Sequence, residues 1–129
     1  QEFGMSVQYI THDLGVIAEI ADMVGVMYLG RIVEMGTLEQ IFRHPMHPYT
    51  ERLMKSIPSM TRKAEGKRLA QIKGNVPIPI DLPFACGFAS RCPMMLSGKC
   101  DCVRPRLVDR GDGHLVSCFL YGEEAETPE

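Results

Sequence analysis

The sequence has little charge of either sign in excess: 14 Lys and Arg face 16 Asp and Glu, a formal net charge of -2. That balance supplies no overall pull toward nucleic acid or an anionic membrane, so either would need a local basic patch, and none dominates. There is no tryptophan, and no apolar run approaches the roughly 20 residues that cross a bilayer. The first residues, Gln1-Glu2-Phe3, are not the basic start of a secretion signal. Secretion and membrane insertion by this chain alone are not expected. Position 1 is not Met, and 129 residues make one small domain or a piece of a larger one; the expectation is a fragment. No cysteine precedes Cys86, and five is an odd number, so a fully paired disulfide framework fits poorly and a thiol or metal role ranks higher. Gly-x-x-x-x-Gly-Lys-[Ser/Thr] and Gly-x-Gly-x-x-Gly are both missing, which leaves the chain without a phosphate cradle of its own.

What is present begins like the end of an α/β unit. Ser6–Ile10 is a short β-branched and aromatic run that stops at Thr11-His12-Asp13, where a polar side chain can cap a following helix. Leu14, Ile17, Ala21 and Val24, with Ile20 beside them, then recur at helical spacing. Val24–Tyr28 and Ile32–Met35 read as a hairpin around Leu29-Gly30-Arg31, with Gly30 free to take positive φ. Thr37-Leu38-Glu39-Gln40 has the spacing of a capping box, so a short helix should follow with Leu38, Ile41 and Phe42 inward.

Proline divides the middle. Pro45 and Pro48 interrupt any continuous helix, but Pro48 suits the first position of a new one carrying Tyr49, Leu53 and Ile57 and ending before Pro58. His44 and His47 at that entrance read more simply as turn and cap chemistry than as metal ligands. Residues 59–70, with Arg62, Lys63, Lys67 and Arg68, read as a linker or a solvated helix. Residues 76–83 should run extended over a surface rather than pair in a sheet. Glu123–Glu129 reads as a frayed acidic tail. Most of the nine methionines read as core filler.

His12 by itself would be an ordinary partly buried side chain. In open α/β sheets, however, ligands sit at the carboxyl ends of strands, and a neutral imidazole there can donate to a phosphate oxygen. Any nucleotide it touched would have to be held by other residues.

Tyr9–Val16, then Ile20-Ala21-Asp22 and Val26–Gly36, resembles the switch-histidine segment of ABC transporter ATP-binding subunits. His44–Thr50, Leu53 and Ser56-Ile57-Pro58 narrow the resemblance to the C-terminal extension of the oligopeptide/dipeptide/nickel branch, and it covers the chain to about Phe119. It implies an α/β fragment of a nucleotide-binding domain over residues 1–43, with strand, helix, hairpin and helix. A loop-rich extension over 44–122 and the acidic tail over 123–129 would follow. It also implies that His12 is the catalytic, nucleotide-sensing histidine in a dimer whose other parts hold ATP and Mg²⁺. The implied partners are permease subunits and a second ATPase subunit, with a peptide-binding protein acting indirectly, at the cytoplasmic face of the plasma membrane; no nucleic acid is implied. Walker A, the Q-loop, the Leu-Ser-Gly-Gly-Gln signature and Walker B are absent, so this chain alone is expected to be inactive and to bind ATP weakly.

The five cysteines are separated by five, seven, one and fifteen residues. Four thiolates brought together could serve Zn²⁺ or an iron–sulfur cluster; the absence of closely paired Cys knuckles favours the cluster, whose larger footprint tolerates single ligands scattered along a loop. Arg91, Lys99, Arg104, Arg106 and Arg110 lie near in sequence and could offset its charge. The family pattern resembled here maps onto Cys86, Arg91-Cys92-Pro93, Cys100, Pro105-Arg106-Leu107, His114 and Cys118. It implies a [4Fe–4S] centre on Cys86, Cys92, Cys100 and Cys118, with zinc as the alternative. Cys102 is the spare and a possible substitute for Cys100; buried free thiols are the plainer reading. His114 reads as a packing or supporting residue. From a different class stands the alternative of a free-standing Cys-rich metal-binding or redox module.

Overall fold

The computed structural model describes residues 4–57 and 74–128. The basic stretch at 59–70, expected as linker or solvated helix, lies outside the described residues.

Helix α1, Leu14–Ile20, starts where Asp13 Oδ1 accepts hydrogen bonds from the Gly15 and Val16 amides at 3.0 and 3.2 Å. This satisfies N–H groups that the first turn leaves without intrahelical partners. Its half-buried stripe is the one the spacing marks: Leu14, Ile17, Ala21 and Val24 are partly covered, while Val16 and Ile20 face outward. The strand expected at Ser6–Ile10 is not formed. Among the described residues no strand runs beside it, and extended backbone without a neighbour has no ladder to join.

The hairpin is present. β1, Met23–Tyr28, pairs antiparallel with β2, Arg31–Thr37, through a two-residue turn in which Leu29 and Gly30 both take positive φ, 47° and 76°. Two positive-φ residues make the tight turn whose twist matches that of the strands. Val26 faces Glu34 but Met27 faces Ile32, so Val33 is an extra, bulged residue. α2, Leu38–Arg43, opens on the expected capping box: the Gln40 amide donates to Thr37 Oγ1 and the Thr37 amide to Gln40 Oε1. α3, Pro48–Lys55, has Pro48 in its first turn and His47 as its cap.

Two further strands were not legible in the sequence. β3, Val108–Asp109, and β4, Leu115–Val116, extend the sheet in the order β1-β2-β4-β3, with Glu34 opposite Val116. The sheet is antiparallel throughout and is shared by the hairpin and the extension. Residues 76–83 form no strand, and Val76, Ile78 and Ile80 are exposed.

The core gathers Val26, Ile41 and Met54, with Leu14, Val24, Val33 and Phe42 packed against them. A second contact joins the cysteine-rich segment to this core. Phe88, 1 % exposed, meets Tyr28 and Tyr49, each with ring centroids 5.4 Å away. Tilted and edge-on rings at such distances add to the burial of their large apolar area.

The acidic end does not fray as expected. The Arg106 amide donates to the Glu124 carbonyl and the Glu126 amide to the Arg104 carbonyl, and Ala125 bridges Pro105. Glu123 pairs with Lys99, Glu124 with Arg110 through both carboxylate oxygens, and Glu126 with Arg31 and Arg104. Alternating basic residues at 104, 106 and 110 give an acidic strand somewhere to lie.

Candidate metal centre

Four of the five cysteines converge. Cys86, Cys92, Cys100 and Cys118 line one small cavity together with His47, and the neighbouring thiols help raise the pKa of Cys86 and Cys118. Four local devices bring them there. Phe88, two residues after Cys86, anchors the first sulfur against the aromatic cluster; a 3-10 turn at Ala89–Arg91 then delivers Cys92. The Cys86 amide donates to the Cys100 carbonyl at 2.9 Å, tying two cysteine loops together. Cys118 follows β4 directly, after Val116 and Ser117.

The Leu96 amide donates to Cys100 Sγ at 3.4 Å, and backbone groups of Phe88 and Ala89, of Met94 and of Leu120 act to lower the pKa of Cys86, Cys92 and Cys118. Such donors favour the thiolate, but burial opposes them and wins in the free chain. Burial pushes the Cys86 and Cys92 thiols up, and the Cys118 thiol up to about 11. These are neutral thiols poised around a space where sulfur charge would need a cation. Among the described residues, no three His, Cys, Asp or Glu side chains are grouped closely enough to hold a metal ion. The described side chains therefore present no ready-made ligand set for either zinc or a cluster.

Cys102 does not line the cavity. It is exposed, and the Asp101 carboxylate beside it raises its pKa. The cations expected to offset cluster charge are largely occupied elsewhere. Lys99, Arg104 and Arg110 hold the acidic end, and Arg91 donates to the Tyr28 hydroxyl and the Gly74 carbonyl. Arg110 and Arg52 are the cations that act on these thiols, at Cys118 and Cys92. Arg52, on α3, lies too far away in sequence to have been found by proximity.

Behind the cavity stands a polar junction that the sequence reading missed. Glu34 on β2 is fully buried. Its carboxylate accepts from the Met46 amide at 2.8 Å, from the His47 amide at 2.9 Å and from His114 Nε2 at 2.6 Å. His114 is thus a supporting residue, as expected, with Nε2 committed to Glu34. The sequence marks Glu34 only as the one acid in the hairpin strands, which does not by itself place it inside. His47 caps α3 by accepting from the Tyr49 amide through Nδ1 at 3.1 Å, and burial lowers its pKa to about 4. The cap reading of that histidine is correct. His12, one residue before the α1 cap, sits on an exposed loop. No described helix is long and apolar enough to cross a membrane.

Comparison with known proteins gives the family. The chain is 48% identical over 124 residues to the oligopeptide transport ATP-binding protein AppD of Bacillus subtilis (strain 168), covering 96% of this chain and 37% of that protein. It is 43% identical over 129 residues to the dipeptide transport ATP-binding protein DppF of Escherichia coli (strain K12), covering 100% of this chain and 37% of that one. To the dipeptide transport ATP-binding protein DppD of Bacillus subtilis it is 44% identical over 122 residues, covering 95% and 36%. The chain thus spans little more than a third of the length of the curated relatives it matches. Residues 33–100, from the bulge of β2 through Cys100, match the family described as oligopeptide/dipeptide transporter, C-terminal region, and to that family the chain belongs.

Proposed function

We propose that this chain works as the C-terminal part of the ATP-binding subunit of a peptide ABC importer, with residues 1–43 completing the nucleotide-binding domain and the rest forming its extension. The observation that carries this reading is similarity over 95–100% of the chain to subunits named for oligopeptide and dipeptide transport. His12 serves as the switch histidine toward ATP and Mg²⁺ held by the rest of the subunit and its dimer partner. Its exposure on the loop before α1 leaves the imidazole free to reach such a nucleotide. Permease subunits are the direct partners, at the cytoplasmic face of the membrane. The test is His12→Ala in the complete subunit assembled with its permease. Peptide uptake and ATPase should fall at least a hundredfold with ATP binding retained; unchanged turnover overturns the assignment.

Within that subunit, Cys86, Cys92, Cys100 and Cys118 hold a [4Fe–4S] cluster. The support is the convergence of Cys86, Cys92, Cys100 and Cys118 on one small cavity. When bound, such a cluster supplies one-electron redox chemistry. This chain's own residues fix the sulfurs, shield them with Phe88 and Phe119, and stiffen the junction between α3 and the sheet. The free-standing module is not favoured, because these relatives carry the same segment within longer ATP-binding proteins.

A further inference from the structure

Beneath the Leu29-Gly30 turn, where the hairpin meets the cysteine-rich segment, lies a cleft of about 260 Å³. That is near the lower end of the range of about 300–1,000 Å³ that small-molecule sites occupy. Its walls are mostly apolar, with Leu29 and Ile32 from the hairpin, Leu82 and Phe88 from the segment that follows, and Leu107 from the extension. Its charges are Arg31, Arg104 and Glu126, and they form one group: the Glu126 carboxylate pairs with both guanidiniums. Two cations against one anion leave an excess of positive charge. Arg104 is also steadied from the side, its guanidinium 4.5 Å from the centre of the Phe84 ring. Glu126 is the movable member, borne on the acidic strap, and ion pairs that reach water as these do are weak. The lining includes one buried polar ring as well, that of His47, 2 % exposed. Nδ1 accepts the Tyr49 amide at 3.1 Å, and burial lowers the pKa to about 4, so at neutral pH the ring is uncharged with its proton on Nε2. Nε2 makes no hydrogen bond to another described residue, yet it is not sealed off as Thr50 Oγ1 and Arg110 Nε are. Of the two spaces that the ring borders, the cysteine-lined cavity offers about 10 Å³ and the cleft about 260 Å³, so only the cleft has room for more than a water.

We propose that this cleft binds a small organic carboxylate, whose charged end replaces Glu126 between Arg31 and Arg104 and whose apolar body, carrying one acceptor for the His47 ring, fills the space beneath the turn. Glu126 is then an internal stand-in for the ligand: it shows that the two guanidiniums accept one carboxylate between them, the pairing that their charge favours. Because the stand-in is tethered, it competes at a high effective concentration, and ligand binding releases the strap that Glu126 helps to hold. The site needs neither metal nor nucleotide, and it stands apart from the reading of His12 and of the four cysteines.

The experiment titrates the whole ¹⁵N-labelled chain with N-acetyl-L-leucine, with the uncharged N-acetyl-L-leucinamide and with acetate, followed by nuclear magnetic resonance. The acid should bind with a dissociation constant on the order of 1 mM, in keeping with its dozen or so heavy atoms. It should move the His47 Nε2 resonance and speed exchange of the Arg106 and Glu126 amides. Glu126→Gln, which removes the competing charge, should tighten binding about threefold to tenfold, and Arg104→Gln should weaken it at least as much. Equal binding of the amide overturns the carboxylate requirement, and with it the proposal. Acetate binding as tightly as N-acetyl-L-leucine, or shifts at the arginines with none at His47, would place the contact on the rim and overturn the cleft. Absence of binding by both wild type and E126Q overturns the site altogether. If R104Q does not fold, the wild-type and E126Q titrations decide.

Discussion

Glu34 and His114 are 80 residues apart in sequence and meet at 2.6 Å inside the protein, Oε1 against Nε2. The carboxylate also holds the Met46 and His47 amides, so one side chain fastens β2 to the entrance of α3 and to the β3–β4 turn. A buried carboxylate without partners is costly, and equally, its removal strands three donors. Glu34→Ala should lower the unfolding free energy by about 3–5 kcal/mol in urea titration. Glu34→Gln, which keeps an acceptor, should cost about half that. A loss under about 1 kcal/mol for the alanine variant would contradict the role of this junction.

Stability of the metal-free chain should depend on the His47 ring. Its folded pKa lies at about 4, below the ordinary histidine value of 6.5, so the unfolded chain binds the proton more readily. The contribution is therefore complete above pH 6.5 and is lost as pH falls toward 4, by about 3 kcal/mol. Urea midpoints from pH 7 to pH 4 check this against His47→Asn, whose curve should be flatter by that amount. Parallel curves would refute the assignment.

The hairpin turn offers a backbone test without side-chain complications. Gly30 has φ 76° and open space where a Cβ would go, so Gly30→Ala meets only conformational strain. The expected cost is about 1 kcal/mol, read from thermal or urea unfolding. A neutral outcome would mean the turn is not of this type.

The acidic end should behave as a latch. Glu126 pairs with both Arg31 and Arg104, and its amide bonds to the Arg104 carbonyl. Glu126→Ala should speed hydrogen exchange at the Arg106 and Glu126 amides severalfold and leave the Ile41 amide in the core unchanged. Unchanged exchange at 106 and 126 would show that backbone pairing holds the strap without the carboxylate.

Local chemistry made much of the fold legible. The Asp13 cap, the Thr37–Gln40 box and Pro48 each announce a helix start through satisfied or absent N–H groups. The alternation of Val24, Val26 and Tyr28 around a glycine turn announced the hairpin. What failed to show were features made by distant partners. Ser6–Ile10 has strand composition but no neighbour among the described residues, whereas two-residue β4 is a strand because β2 lies alongside it, and β3 because β4 does. The acidic end reads as a solvated run until the arginines of residues 104–110 are seen beneath it. At the candidate site, the cysteines were visible by type and the resemblance picked out four. Glu34, Phe88 and Arg52 were not, because a buried acid, an aromatic anchor and a cation from another helix acquire meaning only through contacts.

The most direct measurement is iron and acid-labile sulfide per chain, with an absorption spectrum, on anaerobically purified wild type and the five Cys→Ser variants. The account expects about four iron and four sulfide, with broad absorption near about 400 nm, as befits a cubane on thiolates. Substitution of Cys86, Cys92, Cys100 or Cys118 should empty the centre, while Cys102→Ser should not. Stoichiometric zinc without iron, a metal-free chain, or a centre that survives loss of Cys100 but not of Cys102 would contradict it.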